Sequence, residues 1–103
     1  MPKLREPEAR IVCLKIAASS PNGEVTTSDL KDAFPRFRAL SAEDLVPSST
    51  RINEHKWEQI VGNVISHKNS STSIFRKGLA VRTLDGLKIT NLGLSMLKAK
   101  KLI

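Results

Sequence analysis

Asp44, Glu54 and Lys56, in the middle of the chain, have the residue types of a metal-dependent nuclease signature. That chemistry needs the Glu and the Lys on a β-strand, where residues i and i+2 point to the same face and reach one metal ion. Here Glu54 and Lys56 open a predicted helix, in which residues two apart point about 200° away from each other. We therefore predict no nuclease site, and no catalytic residue of any other kind is evident.

The single cysteine and the two histidines form no second catalytic arrangement. Cys13 lies in an apolar helical segment without a neighbouring base, so we expect it to be a small buried hydrophobic residue. His55 and His67 are twelve positions apart on one predicted helix, about three turns, which is too far to share a metal ion. The pattern favours a binding protein, without metal or other cofactor, over an enzyme. A lone cysteine fits a reducing, cytoplasmic setting.

Length and composition are those of one globular domain over residues 1–103. The chain contains 40% hydrophobic and 26% charged residues. No apolar segment approaches the roughly 18–20 residues of a membrane helix. The best candidate for an export signal, residues 11–18, is interrupted by Lys15 and preceded by Glu6 and Glu8. We therefore expect neither a membrane span nor an export signal.

The positive charge is concentrated in the C-terminal half. Residues 1–54 contain eight Lys or Arg and eight Asp or Glu, whereas residues 55–103 contain nine Lys or Arg and only two acids. The net charge of +7 therefore comes entirely from the second half. Like charges in one region repel each other unless an anionic partner neutralises them. This distribution favours a nucleic acid as the partner, with an acidic protein or a membrane surface as alternatives.

Turn-forming residues divide the N-terminal half into short elements. A first helix is stopped by Pro21-Asn22-Gly23, since Pro cannot continue a helix and Asn-Gly accepts a positive φ. Glu24-Val25 is predicted as a short strand. Thr26 or Thr27 caps a second helix, which Pro35 is expected to end.

The strongest helical pattern follows, from Asn53 or Glu54 to His67. Its apolar residues recur at helical spacing and predict the side that faces the core. They are Trp57, Ile60, Val61, Val64 and Ile65.

The opposite side of this helix is polar but nearly uncharged. It consists of His55, Gln59, Gly62, Asn63 and Ser66. A solvent-exposed helix side usually carries Lys and Glu instead. Asn and Gln bond adenine bidentately, and Gly permits close approach, so we predict that these residues read DNA bases in the major groove. A polar helix side without a ligand is the alternative.

A β-hairpin is predicted at residues 79–90. A three-residue loop with Gly86 in the left-handed conformation pairs Arg82 with Lys88 and Val81 with Ile89. This register gives one apolar and one basic face. It also places two cations opposite each other, which a phosphate would stabilise. Two solvated side chains that point apart are the alternative.

Seven cations flank the predicted helix and hairpin and are candidates for binding the DNA backbone. Three lie beside the helix: Arg51, Lys56 and Lys68. Four lie in or before the hairpin: Arg76, Lys77, Arg82 and Lys88. A last helix opens at Thr90, and the lysines at its end are also explained by the helix dipole.

The predicted elements follow the winged helix-turn-helix plan, in which a recognition helix enters the major groove and a hairpin wing contacts the flanking backbone. The chain contains Leu45–Ser49 followed by Trp57 and its apolar helix, then Gly78-Leu79 and Gly86–Gly93. In these segments it resembles the N-terminal domain of Mrr-type restriction proteins and the winged-helix modules of other modification-dependent restriction endonucleases. In those families an apolar-Thr-x-x-Gly run closes the wing and starts the last helix, and Ile89–Gly93 matches it. Gly62 in the recognition helix and the long polar stretch 66–74 depart from the pattern.

The resemblance implies a mainly α fold with a small β-hairpin, an α+β winged helix. It implies a module that recognises double-stranded DNA by sequence or methylation, while a separate catalytic nuclease domain or subunit cuts. A free-standing transcriptional regulator and a winged helix that binds another protein are the alternatives.

Overall fold

The computed structural model describes residues 2–49, 53–67 and 70–103. Within them, four α-helices surround a small antiparallel sheet, so the chain has a mixed α/β fold compatible with the α+β prediction. The helices are α1 (Glu6–Ala18), α2 (Thr27–Phe37), α3 (Lys56–Ser66) and α4 (Asn91–Ala99). The strands are β1 (Glu24–Thr26), β2 (Ala80–Arg82) and β3 (Gly86–Ile89). No helix in the described ranges is long and apolar enough to cross a membrane.

Helix α1 lies at the centre of the fold and packs against α2, α3, the sheet and α4. Its residues Cys13, Leu14 and Ala17 are completely buried. On the other side of the core, the rings of Phe34 and Trp57 stack with their centroids 5.6 Å apart, which fastens α2 to α3.

The turn after α1 and the start of α2 form as predicted. Asn22 and Gly23 both adopt positive φ, 58° and 70°, and reverse the chain into β1. The Thr26 hydroxyl accepts a hydrogen bond from the Asp29 backbone N–H at 3.1 Å, so Thr26 is the N-cap of α2.

The prediction that Pro35 ends α2 is wrong, because the helix continues to Phe37. Pro35 removes only one backbone donor, and it does so on the exposed side of the helix. The helix then regains a bond from the Arg38 N–H to the Phe34 carbonyl at 3.0 Å.

The predicted hairpin register is also wrong by one residue. In the sheet order β1-β3-β2, Val81 pairs with Lys88 and Arg82 with Leu87, so the loop is the two-residue turn Leu84-Asp85. Gly86 is the first residue of β3 and pairs with Thr26. A Cβ at Gly86 would overlap the Val25 carbonyl oxygen and the Thr26 backbone. Gly86 is therefore needed for close approach to β1 and not for a left-handed turn.

This register changes which hairpin residues are buried. Ala80 occupies the buried position, whereas Val81 is 50% exposed and shares the outer face with Lys88. The predicted apolar face therefore loses Val81.

The last helix begins as predicted, and its first turn explains the Thr-x-x-Gly run. The Thr90 hydroxyl accepts from the Gly93 N–H at 3.1 Å and donates to the Gly78 carbonyl at 2.6 Å. A Cβ at Gly93 would overlap the Leu79 carbonyl oxygen. Thr90 and Gly93 thus join α4 tightly to the segment that enters β2.

Candidate nucleic-acid interface

Helix α3 starts later than predicted, and this changes the position of His55. Asn53 has a φ of 62°, and the helix begins only at Lys56 with His55 as its N-cap. The His55 backbone N–H donates to Glu58 Oε1 at 3.1 Å, and its ring Nδ1 lies 3.1 Å from the same oxygen. His55 therefore lies at the exposed end of the helix and not on its polar side.

The segment 44–48 holds the first turn of α3. The Lys56 N–H donates to the Val46 carbonyl at 2.9 Å, and the Trp57 N–H donates to the Asp44 carbonyl at 3.2 Å. Helix N-termini bind anions through free N–H groups, and these two are already satisfied. A phosphate at this end must therefore be bound by a side chain, and Lys56 is exposed there.

The core side of α3 is buried at Trp57, Val61, Val64 and Ile65, and half-buried at Ile60. On the other side, Gln59, Gly62 and Asn63 are half-buried and Ser66 is exposed. The structure thus brings four of the five predicted base-reading residues onto one side of one helix.

These polar side chains differ in how far they are already engaged. Gln59 Oε1 accepts a hydrogen bond from the Ser48 hydroxyl at 2.7 Å, and the Ser66 hydroxyl donates to the Gly62 carbonyl at 2.9 Å. The Asn63 side chain makes no hydrogen bond to the described part of the chain. Its amide is the one most ready to bind an external partner.

The predicted backbone-binding cations that the structure describes are all exposed, and none forms an ion pair with a described acid. They are Lys56, Arg76, Lys77, Arg82 and Lys88. Arg51 and Lys68 lie outside the described residues.

Several cations of the N-terminal half behave differently. Arg10 lies 3.5 Å from Glu6, and Lys31 lies 2.9 Å from Glu54. Arg38 contacts both Glu8 and Asp44. Three of the seven described Lys and Arg residues of the N-terminal half are therefore in ion pairs, against none of the eight in the C-terminal half.

The predicted pairing of Arg82 opposite Lys88 does not form. Lys88 lies between Val81 and Glu24 in the sheet register, next to a strand residue of opposite charge. The Arg82 guanidinium donates to the Thr83 and Gly86 carbonyls at 3.2 and 2.9 Å, which braces the hairpin turn. No repulsion between the two cations remains for a phosphate to relieve.

A buried ion pair that sequence reasoning missed positions the segment before α3. Asp44 is 2% exposed, and its Oδ2 lies 3.0 Å from Arg38 Nη1 and 2.9 Å from the Ser41 N–H. Its Oδ1 accepts from the Leu4 N–H at 2.7 Å. Burial alone would raise the pKa of Asp44, but the hydrogen bonds from Ser41 and Leu4 and the Arg38 charge outweigh it and lower the pKa. The Ser41-x-x-Asp44 spacing signals the local bonds between these two residues, whereas nothing in the sequence signals the pair with Arg38.

The residues considered for catalysis are held by neighbouring groups. Asp44 is paired with Arg38 and Glu54 with Lys31. Cys13 is buried, and burial raises the pKa of its thiol to about 12, so the thiol stays protonated at neutral pH. Among the described residues, no group of three or more His, Cys, Asp or Glu side chains is placed to hold a metal ion.

No protein-family model, no curated protein and no solved structure matches the chain.

Proposed function

We propose that this chain is a winged-helix module that binds double-stranded DNA, with α3 in the major groove and the β2–β3 hairpin as the wing. The element order α1-β1-α2-α3-β2-β3-α4 supports this proposal, as does a sheet in which β1 extends the hairpin. In such a plan the polar side of α3 faces base edges, and the hairpin lies beside the sugar-phosphate backbone.

The observation that carries the proposal is the distribution of unpaired cations. The five exposed Lys and Arg residues form no ion pair with a described acid, and the polar side of α3 is uncharged. A protein that binds DNA phosphates needs cationic side chains that are not already paired with acids. Base edges, in contrast, are bound by amides and small polar side chains.

Asn63 is the principal base-reading residue in this account. Its amide is free to donate and to accept, which bidentate binding of adenine requires. Gln59 lies one turn earlier, but its carbonyl oxygen must first leave the Ser48 hydroxyl. Gly62 lies next to Asn63 and lets the helix backbone approach the bases or a projecting methyl group. Ser66 and His55 contribute at the two ends of the helix.

The backbone contacts are distributed over separate phosphates. Lys56 binds a phosphate at the start of α3, and Arg76 and Lys77 bind at the turn before the wing. Arg82 and Lys88 each bind a separate phosphate at the wing. Arg51 and Lys68 remain expected contributors by their position in the sequence. Since Arg82 also braces its own turn, we expect its phosphate contact to use the remaining guanidinium N–H groups.

The proposed biological role is target recognition for a restriction endonuclease whose catalytic domain or subunit lies elsewhere. The resemblance of the Ile89–Gly93 run supports it, and in this chain Thr90 caps α4 while Gly93 allows the close approach to Leu79.

A binding screen tests base reading. Fluorescence anisotropy is measured on a panel of methylated and unmethylated duplexes with the parent chain, with Asn63→Ala and with Asn91→Ala. Asn91 is exposed in α4 and serves as the matched control. We expect Asn63→Ala to reduce discrimination at one base pair by roughly 5–150-fold, while non-specific binding stays unchanged. A parent without any preference, together with Asn63→Ala binding like the parent, would eliminate the base-reading role.

A further inference from the structure

A groove with an apolar floor lies between α1, the turn at residues 72–79 and α4. Its volume is about 460 Å³. Its floor consists of Ile11, Leu14, Ile74, Leu79 and Met96. Ile11, Leu79 and Met96 are only half-buried, so this surface remains in contact with water in a single chain.

The rim of the groove is basic. Arg10, Lys77 and Lys100 line it. Arg10 has a carboxylate of its own at 3.5 Å, that of Glu6. Lys77 and Lys100 form no ion pair with any described acid. An apolar group that carries a carboxylate beside it therefore suits this groove.

The hairpin turn of the same chain presents that combination. Leu84 is 95% exposed, the most exposed of the large hydrophobic side chains in the described part of the chain. The adjacent Asp85 is exposed and has no cationic partner among the described residues.

This turn is held rigidly. The Thr83 N–H donates to the Gly86 carbonyl at 3.0 Å, and the Gly86 N–H donates to the Thr83 hydroxyl at 3.0 Å. The Asp85 carbonyl accepts from the Thr27 N–H at 2.8 Å, which fixes the turn to the start of α2. A braced turn loses little conformational entropy when Leu84 docks.

We propose that the Leu84-Asp85 turn of one chain docks into the Lys77/Lys100 groove of a second copy. The leucine covers the apolar floor, and the Asp85 carboxylate meets the basic rim. Because the turn is fixed to α2 and the groove lies between α1 and α4, the two surfaces are different parts of each molecule. The contact is head-to-tail and leaves a free turn at one end and a free groove at the other. It goes beyond DNA binding, but Lys77 and the hairpin also belong to the proposed DNA interface, so the contact is tested without nucleic acid.

The contact consists of one leucine and one carboxylate, so the association is weak. Salt weakens it further, because it screens the attraction between Asp85 and the lysines. Sedimentation equilibrium without nucleic acid tests it. The parent's weight-average mass is expected to rise with concentration, whereas Leu84→Ser and Lys100→Glu each stay monomeric. Leu45→Ser and Lys98→Glu change exposed residues outside both surfaces, and these controls associate like the parent.

Mixing the two monomeric variants tests the geometry. Lys100→Glu keeps an intact turn and Leu84→Ser keeps an intact groove, so their mixture restores one contact and gives a 1:1 dimer that does not grow. Circular dichroism verifies that both variants remain folded. A parent that stays monomeric at every concentration, variants that associate like the parent, or a mixture that stays monomeric would overturn the proposal. DNA affinity of the same variants is measured separately, so failure of one proposal does not imply failure of the other.

Discussion

One buried carboxylate, that of Asp44, connects the N-terminal segment, the end of α2 and the turn before α3. It accepts from the Leu4 N–H, pairs with Arg38 at the end of α2, and belongs to the turn whose carbonyls cap α3. Breaking a buried pair leaves an uncompensated charge in the interior. Asp44 thus positions the start of the proposed recognition helix without touching any partner.

Asp44→Ala is expected to lower the free energy of unfolding by about 3–5 kcal/mol, because the Leu4 and Ser41 N–H groups lose their buried acceptor and Arg38 loses its buried ion-pair partner. Glu43→Ala, at the exposed neighbouring position, is the control and should change stability by less than about 0.5 kcal/mol. Urea unfolding measures both variants. Equal stability of the two would show that the ion pair does not support the fold.

The lowered pKa of Asp44 predicts that the stability of the fold decreases in acid. The pKa of Asp44 is lower in the folded chain than in the unfolded chain, where it is about 4. The contribution of the ionised carboxylate to the free energy of unfolding is therefore complete above that pH. That contribution is lost as the pH falls through the folded pKa. Urea unfolding at decreasing pH should therefore show a loss of stability in the parent that is smaller in Asp44→Ala.

Substitutions of Trp57 and Gln59 distinguish the core side of α3 from its polar side. Trp57 is 7% exposed and stacked on Phe34, so Trp57→Ala is expected to cost about 3–5 kcal/mol through lost burial and a cavity. Gln59→Ala removes one hydrogen bond to Ser48 and should cost about 0.5–1.5 kcal/mol. Thermal and urea unfolding measure both. If Gln59→Ala unfolds the domain, the assignment of the two sides of α3 is wrong.

At the scale of single residues, the sequence predicted the interactions that form between residues close together in the chain. Thr90 was predicted as an N-cap, and Thr26 as one of two candidates with Thr27, because the donor lies three residues away on the same chain segment. Asp44 could not be assigned its partner, because Leu4 and Arg38 reach it only after the helices have packed.

At the scale of elements, periodicity predicted the helices and strands, but it did not predict how β3 is paired. The hairpin alone is compatible with several registers. The one observed brings Gly86 against the Val25 carbonyl of β1, a contact between residues about sixty positions apart. The ends of α2 and α3 were also misplaced. Pro35 removes one backbone donor on the exposed side of α2 and does not end the helix, and Asn53 adopts a positive φ, so α3 begins only at Lys56.

Gly86→Ala tests the role of this strand contact. The added methyl group would overlap backbone atoms of Val25 and Thr26, which cannot rotate away, so β1 and β3 must separate. We expect a loss of about 1–3 kcal/mol and faster amide hydrogen exchange in both strands. Lys88→Ala, at an exposed position of the same strand, should change stability by less than about 0.5 kcal/mol. A Gly86→Ala chain as stable as the parent would contradict the close approach.

At the scale of the whole molecule, the two halves of the chain use their charges differently. In the N-terminal half, Arg10, Lys31 and Arg38 neutralise acids of the same half and hold the fold together. The described cations of the C-terminal half form no such pairs. The sequence predicted this imbalance by counting alone, but the exposure and pairing of each cation depend on the packing.

The most direct test of DNA binding is the dependence of duplex affinity on salt concentration. If five to seven of the proposed backbone-binding cations each neutralise one phosphate, log affinity plotted against log salt has a slope of about −4.5 to −6. Arg82→Ala should weaken binding to all duplexes similarly and reduce the slope by about one unit. Arg36→Ala, an exposed cation of α2 outside the proposed interface, should leave the slope unchanged. A slope near zero, or equal affinity for polyglutamate and duplex, would contradict DNA binding.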